Sequence, residues 1–109
     1  MSTLSERSCE ACNSRTRRLF YDEAAEFLAQ LKGWQIVGRE RLEKYWSFGN
    51  FTEAFKFVKA VSEIAEREGH HPEIRFGWDY VEIHISTYTI RALTTNDFIL
   101  AAKIDELSI

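Results

Sequence analysis

The chain has 109 residues and a mass of 12.8 kDa, which suits one domain and excludes a two-domain enzyme. Hydrophobic residues make up 45% and charged residues 28%, with one Pro and five Gly, so a disordered tail is excluded and a packed core is expected. A formal net charge of −3 excludes a dedicated nucleic-acid binder, because Arg15, Arg17 and Arg18 are too small a cationic cluster for phosphate contacts. Two cysteines are too few for a disulfide-stapled secreted domain, and no apolar run is long enough for a signal or membrane segment, so the cytoplasm is the expected location.

Residues 1–18 lack apolar periodicity and read as a flexible N-terminal arm with no fold role, leaving 19–109 as a single domain. Asp22, a favoured N-cap residue, precedes Ala24, Phe27, Leu28 and Leu31 at helical spacing, and Gly33 suits the stop. A hairpin follows over 34–38 and 41–48, where Leu42, Trp46 and Phe48 alternate with Arg41, Glu43 and Ser47. Lys44 falls on the apolar face of that strand and interrupts the pattern. Asn50 with Glu53 three residues on reads as a helix start, and Phe51, Ala54, Phe55, Val58, Val61, Ile64 and Ala65 form its apolar stripe up to Glu68. Gly69 suits the C-terminal cap, and Pro72 keeps His71 out of the helical region, so His70 and His71 lie in an extended exit.

Ile74 and Phe76 alternate with Glu73 and Arg75 up to a Gly77-Trp78-Asp79 turn, and Val81, Ile83 and Ile85 alternate with Glu82, His84 and Ser86. Thr94 with Asp97 three residues on opens a last helix whose Phe98, Ala101, Ala102 and Ile104 to Leu107 face inward. The order α-β-β-α-β-β-α predicts an α+β fold in two layers: a four-stranded antiparallel sheet with helices packed on one face. Bare sheet edges and exposed aromatics such as Tyr45 and Tyr80 predict self-association.

The three histidines are the residues able to give and take a proton near neutrality. His70 and His71 are adjacent, with Glu66, Glu68 and Glu73 close enough in sequence to orient their rings; the competing reading is one buried, hydrogen-bonded ring and one solvated ring. His84 reads as a solvated sheet-face residue, about ~13 Å from Tyr88 along the strand. Cys9 and Cys12 form a single C-x-x-C, which lacks the second ligand pair of structural zinc and reads as an unligated arm feature. Of the three Trp, Trp78, in a turn expected to lie near the histidine pair, is the candidate for stacking on a planar ligand, against the competing reading that Trp residues are core.

The stretch Glu66-Arg67-Glu68-Gly69-His70-His71-Pro72-Glu73, then Trp78, the Val81 to Ile85 strand, Ser86-Thr87, Leu93-Thr94 and Asn96 to Ala102, resembles pterin-4a-carbinolamine dehydratases. The likeness extends back through Phe48-Gly49-Asn50-Phe51, Ala54-Phe55 and Gly33-Trp34 to Cys9-Glu10-Ala11-Cys12, which resembles the arm of bacterial members. It implies that 19–109 is a carbinolamine dehydratase-like domain, which eliminates water from the 4a-hydroxytetrahydropterin left by aromatic amino-acid hydroxylases and returns quinonoid dihydropterin for reuse. No metal and no cofactor is implied. The implied partners are the pterin substrate, further copies of the chain in a homodimer or homotetramer, and a functionally linked hydroxylase, with no nucleic acid and no membrane.

By the same resemblance His70 is the principal acid/base and His71 its binding and proton-transfer partner. Gly69, Ser86, Thr87, Tyr88 and Thr89 line the pterin pocket, while Glu66 and Asp97 orient. The family's third active-site histidine is replaced by Tyr88, and its customary glycine before Leu93 by Ala92. A phenol with a pKa near ~10 donates hydrogen bonds but is a poor base at neutral pH, so reduced or stereochemically narrowed activity is expected. The alternative is a catalytically weak pterin-binding or protein-binding regulatory member, since mammalian members of the resembled family also serve a homeodomain transcription factor as dimerisation cofactors.

Overall fold

A computed structural model describes residues 3–10 and 17–107 of the chain. A 3₁₀ turn at Leu4–Glu6 is followed by α1 (Tyr21–Leu28), β1 (Gln35–Val37), β2 (Arg41–Ser47), α2 (Phe51–Glu68), β3 (Glu73–Gly77), β4 (Tyr80–Ile85) and α3 (Thr95–Asp105). The strands form one antiparallel sheet in the order β1-β2-β4-β3, so the expected α+β architecture is the observed one. The pairs Leu42↔Ile85, Lys44↔Ile83, Trp46↔Val81 and Ile74↔Ile83 set one apolar face against the helices. Leu42, Val81, Ile83 and Ile85 are wholly buried there in the same core as Val61, Phe98 and Leu100. No described helix is long and apolar enough to cross a membrane.

Lys44 occupies this inner face because its charge is matched. Its Nζ lies 3.0 Å from Asp105 Oδ1 and 4.8 Å from the Trp46 ring centroid, and Trp34 Nε1–H donates to the same carboxylate at 2.9 Å. A half-buried ammonium with both an anion and an aromatic face avoids the cost of an unpaired charge.

Four local readings are corrected by the structure. The first helix begins at Tyr21, with Phe20 rather than Asp22 as its cap, because the Glu23 carboxylate accepts the Phe20 N–H at 2.9 Å; it ends at Leu28, short of Gly33. In α2 the buried stripe is Ala54, Phe57, Val61, Ile64 and Ala65, while Phe51 and Phe55 are more than half exposed. In α3, Ile99 and Leu100 are buried together with Phe98, Ala101, Ala102 and Ile104, because the helix is covered on more than one side, whereas the helix ends at Asp105, Glu106 is exposed and Leu107 is half-buried. Part of that cover is the N-terminal arm, which does have a role in the fold, contrary to its lack of apolar periodicity: Leu4 is buried, Lys103 Nζ donates to Ser5 O at 2.9 Å, and Asn96 exchanges hydrogen bonds with the Glu10 backbone at 2.6 and 2.9 Å.

Candidate active site

The exit of α2 is set by its cap. Gly69 adopts φ +68° and ψ +23° and its N–H donates to Ala65 O at 2.9 Å, a left-handed closure that costs glycine little. The two histidines that follow diverge. The His70 side chain is 11% exposed and its Nε2 lies 2.6 Å from Asp97 Oδ1, whereas the His71 side chain is 59% exposed and its Nε2 lies 2.5 Å from Glu66 Oε2.

Asp97 is fully buried in the first turn of α3. Its Oδ2 accepts the Thr94 N–H and the Thr87 hydroxyl, each at 2.8 Å, and the Thr94 and Thr87 hydroxyls are themselves 2.8 Å apart. Three donors therefore converge on two oxygens, the condition under which a buried carboxylate is tolerated. Because carboxylate oxygens only accept, Nε2 of His70 carries the hydrogen and donates to Asp97, an assignment made from the hydrogen-bond network. Nδ1 is then the ring nitrogen able to exchange a proton with a ligand. The arrangement fixes both the tautomer and the orientation of one imidazole.

Tyr88 follows Thr87 in the turn closed by the Thr87↔Ala92 bridge and is 54% exposed. Partial burial pushes its phenol above the ordinary value of 10, the Glu73 and Asp97 carboxylates add to this, and the Arg41 guanidinium opposes it. The phenol is therefore a hydrogen-bond donor held within the electrostatic reach of Asp97. Thr89, beside it, is exposed.

Ser86 and Thr87 are buried with their hydroxyls committed, Ser86 Oγ donating to Glu40 O at 2.6 Å and Thr87 Oγ1 to Asp97. Trp78 is not near the histidines, contrary to the sequence reading. Strand β3 carries the chain roughly 17 Å between Glu73 and the Trp78 turn, which lies beside the start of α2, where Phe48 N–H donates to Asp79 O at 2.8 Å. His84 is also misread as solvated, since it retains only 9% of its exposure. Cys9 is held by its N–H to Glu68 Oε1 at 2.9 Å and by its thiol to Asn96 O at 3.6 Å; Cys12 and Arg15 lie outside the described residues.

Sequence reasoning missed the Thr94 backbone N–H and the Thr87 hydroxyl as the groups that hold Asp97. The Thr94-x-x-Asp97 helix start was the available signal, because the side chain that takes the cap N–H is the one that meets His70.

The sequence profile described as Pterin 4 alpha carbinolamine dehydratase matches residues 17–107. The chain belongs to this family. A Rubrobacter xylanophilus protein named for the same family is 42% identical over 107 residues, an alignment that covers 98% of this chain and 100% of the relative. Pterin-4-alpha-carbinolamine dehydratase 2, mitochondrial, of Arabidopsis thaliana is 40% identical over 114 residues, covering 100% of this chain and 61% of the plant protein. Among solved structures, the transcriptional coactivator/pterin dehydratase of Brucella melitensis superposes with a TM-score of 0.76 at 34% identity, over 81% of this chain and 95% of that one. A pterin dehydratase-like RuBisCO assembly factor of the alpha-carboxysome gives a TM-score of 0.58 at 29% identity, over 68% and 87%. The carbinolamine dehydratase family is named for a hydro-lyase reaction, the removal of water.

Proposed function

We propose that this chain dehydrates 4a-hydroxytetrahydropterin to quinonoid dihydropterin by histidine acid/base catalysis. The observation that carries the reading is the 2.6 Å contact of His70 Nε2 with an Asp97 carboxylate that is itself fully buried and doubly held. Elimination breaks the bond from C4a to the hydroxyl oxygen and forms a double bond to the neighbouring ring nitrogen. An acid must give a proton to the departing hydroxyl, and a base must take the proton from that nitrogen. An imidazole held with its hydrogen on Nε2 takes a proton at Nδ1 as the neutral ring and gives one from Nδ1 as the imidazolium, and His70 is the principal acid/base.

His71, paired with the exposed Glu66 carboxylate, acts as the binding and proton-transfer partner. Gly69, Tyr88 and Thr89 line the pterin site, Tyr88 as a donor to a hydroxyl or carbonyl oxygen. Ser86 and Thr87 contribute through backbone and position, and Thr87 orients Asp97. With a phenol in place of the third histidine, one proton-transfer group is lost and turnover is slower or confined to one 4a-hydroxy epimer. The intact His70–Asp97 pair favours turnover over the binding-only reading.

The product is the quinonoid form that a reductase would return to use, which places the activity in pterin recycling beside an aromatic amino-acid hydroxylase. Self-association is supported by exposed aromatics: Phe51 and Phe76, 5.9 Å apart between centroids, and Tyr45, stacked at 5.8 Å on Tyr80, which is itself half-buried rather than exposed as the sequence suggests.

Dehydration of both epimers by the parent, His70→Ala and Tyr88→His proteins tests the reading. The parent should turn over one epimer or both slowly, His70→Ala should lose about 10²-fold or more, and Tyr88→His should gain on the disfavoured epimer. A silent parent overturns the enzymatic reading, and equal, full activity on both epimers overturns the narrowing.

A further inference from the structure

The sheet face turned away from the helices carries a second group of ligating side chains. The register Glu43↔His84 and the two-residue step from Glu82 to His84 set these three residues side by side on strands β2 and β4. His84 retains 9% of its exposure, and its Nε2 is buried without a hydrogen bond. That nitrogen faces Glu82 Oε1 at 3.2 Å and Glu43 Oε1 at 3.8 Å, and the potential ligand atoms of all three residues lie within 4.8 Å of one another.

We propose that Glu43, Glu82 and His84 form a binding site for a divalent transition-metal ion, zinc being the fitting one. Tetrahedral zinc holds nitrogen and oxygen ligands at about 2.0–2.2 Å, which places the ligands roughly 3.3–3.6 Å from one another. The observed 3.2 and 3.8 Å bracket that spacing, so small rotations of two glutamate side chains suffice to close the site. One neutral imidazole and two carboxylates balance a charge of two and leave a fourth position for water. A proton on the ring could serve one carboxylate at a time, whereas a divalent ion serves both and the nitrogen together.

Arg41 Nε bonds to Oε2 of Glu43, the oxygen not turned toward His84, and so orients that ligand from behind. Glu73, across from His84 on β3, and Arg75, across from Glu82, complete the charged surroundings with one acid and one base. An ion there would tie β2 to β4, the two central strands, and would stabilise the folded chain by mass action. The site shares no residue with the His70–Asp97 pair.

The test is calorimetric titration of the full chain with zinc sulfate, in a Cys9→Ser, Cys12→Ser background so that thiols do not compete, with thermal unfolding before and after chelation. One zinc per chain should bind, and both His84→Asn and Glu82→Gln should weaken that event by about tenfold or more. Glu82 is one-third exposed, so its glutamine variant tests the site even where the His84 substitution disturbs folding. Chelation should lower the melting temperature of the loaded parent by more than that of Glu82→Gln at the same zinc concentration. Absence of binding by the parent, or unchanged affinity in either variant that folds, overturns the proposal.

Discussion

Replacing Asp97 separates its two duties. In Asp97→Asn the amide oxygen can occupy the position of Oδ2 and keep both the Thr94 N–H and the Thr87 hydroxyl, each now bonded at 2.8 Å. The amide nitrogen then meets His70 Nε2 where Oδ1 stood at 2.6 Å. Two donors cannot face one another, so the ring must move its hydrogen to Nδ1, the nitrogen the reaction uses. Stability should change by about 1 kcal/mol or less, while kcat falls about 10²–10⁴-fold, the range of a misassigned catalytic imidazole.

Asp97→Ala behaves differently. It leaves a buried Thr94 N–H without an acceptor and removes the helix-start contact, a loss of about 2–4 kcal/mol, or roughly 9–17 °C in Tm for a domain of this size. Steady-state dehydration kinetics with thermal unfolding on both variants provide the check. An Asn variant with kcat within a small factor of the parent would refute the tautomer argument, and an Ala variant that melts with the parent would refute the helix-start argument.

Three further outcomes are expected. Leu4, 3% exposed under the arm, should cost about 2–5 kcal/mol when changed to Ala, measured by urea unfolding; a change within ±0.5 kcal/mol would mean that the arm does not dock. Glu23, held by the Arg17 guanidinium and by the Phe20 N–H, titrates at about 2 rather than 4.5, so its contribution is present above pH 4.5 and lost as pH falls toward 2. Arg17→Ala should return the Glu23 carboxyl NMR midpoint toward 4.5, and an unmoved midpoint would refute the pairing. Tyr88, raised above 10 chiefly by burial, contributes stability that is present below pH 10 and lost as pH climbs through its folded value. Tyr88→Phe should flatten that alkaline loss, and a phenol titrating at 10 in the folded chain would contradict it.

What could be read from the residues was whatever local geometry enforces. Strand β4 buries one face, so Val81, Ile83 and Ile85 alternate visibly; α2 ends where Gly69 must turn left-handed, and that boundary places His70 and His71. The choice between apolar stripes on α2 was not readable. Ala54 and Phe55 differ by about 100° around the axis, and only the position of the sheet decides that Phe57 goes inward and Phe55 stays outside. Trp78 was misplaced because nearness in sequence to Pro72 hides the length of β3. The arm and His84 were misplaced for a related reason, since partners distant in sequence or on neighbouring strands supply their burial.

Asp97 shows why the site was more legible than much of the core. The pattern Thr94-x-x-Asp97 marks a helix start by local chemistry, and the same carboxylate reaches His70. The rigidity of the acid/base pair is therefore borrowed from the beginning of α3: a chain that starts this helix correctly has already aimed Oδ1. A substitution that preserves the Asp97 carboxylate but shifts the helix start should misplace His70 without touching it, and its effect would appear in kcat before it appears in binding.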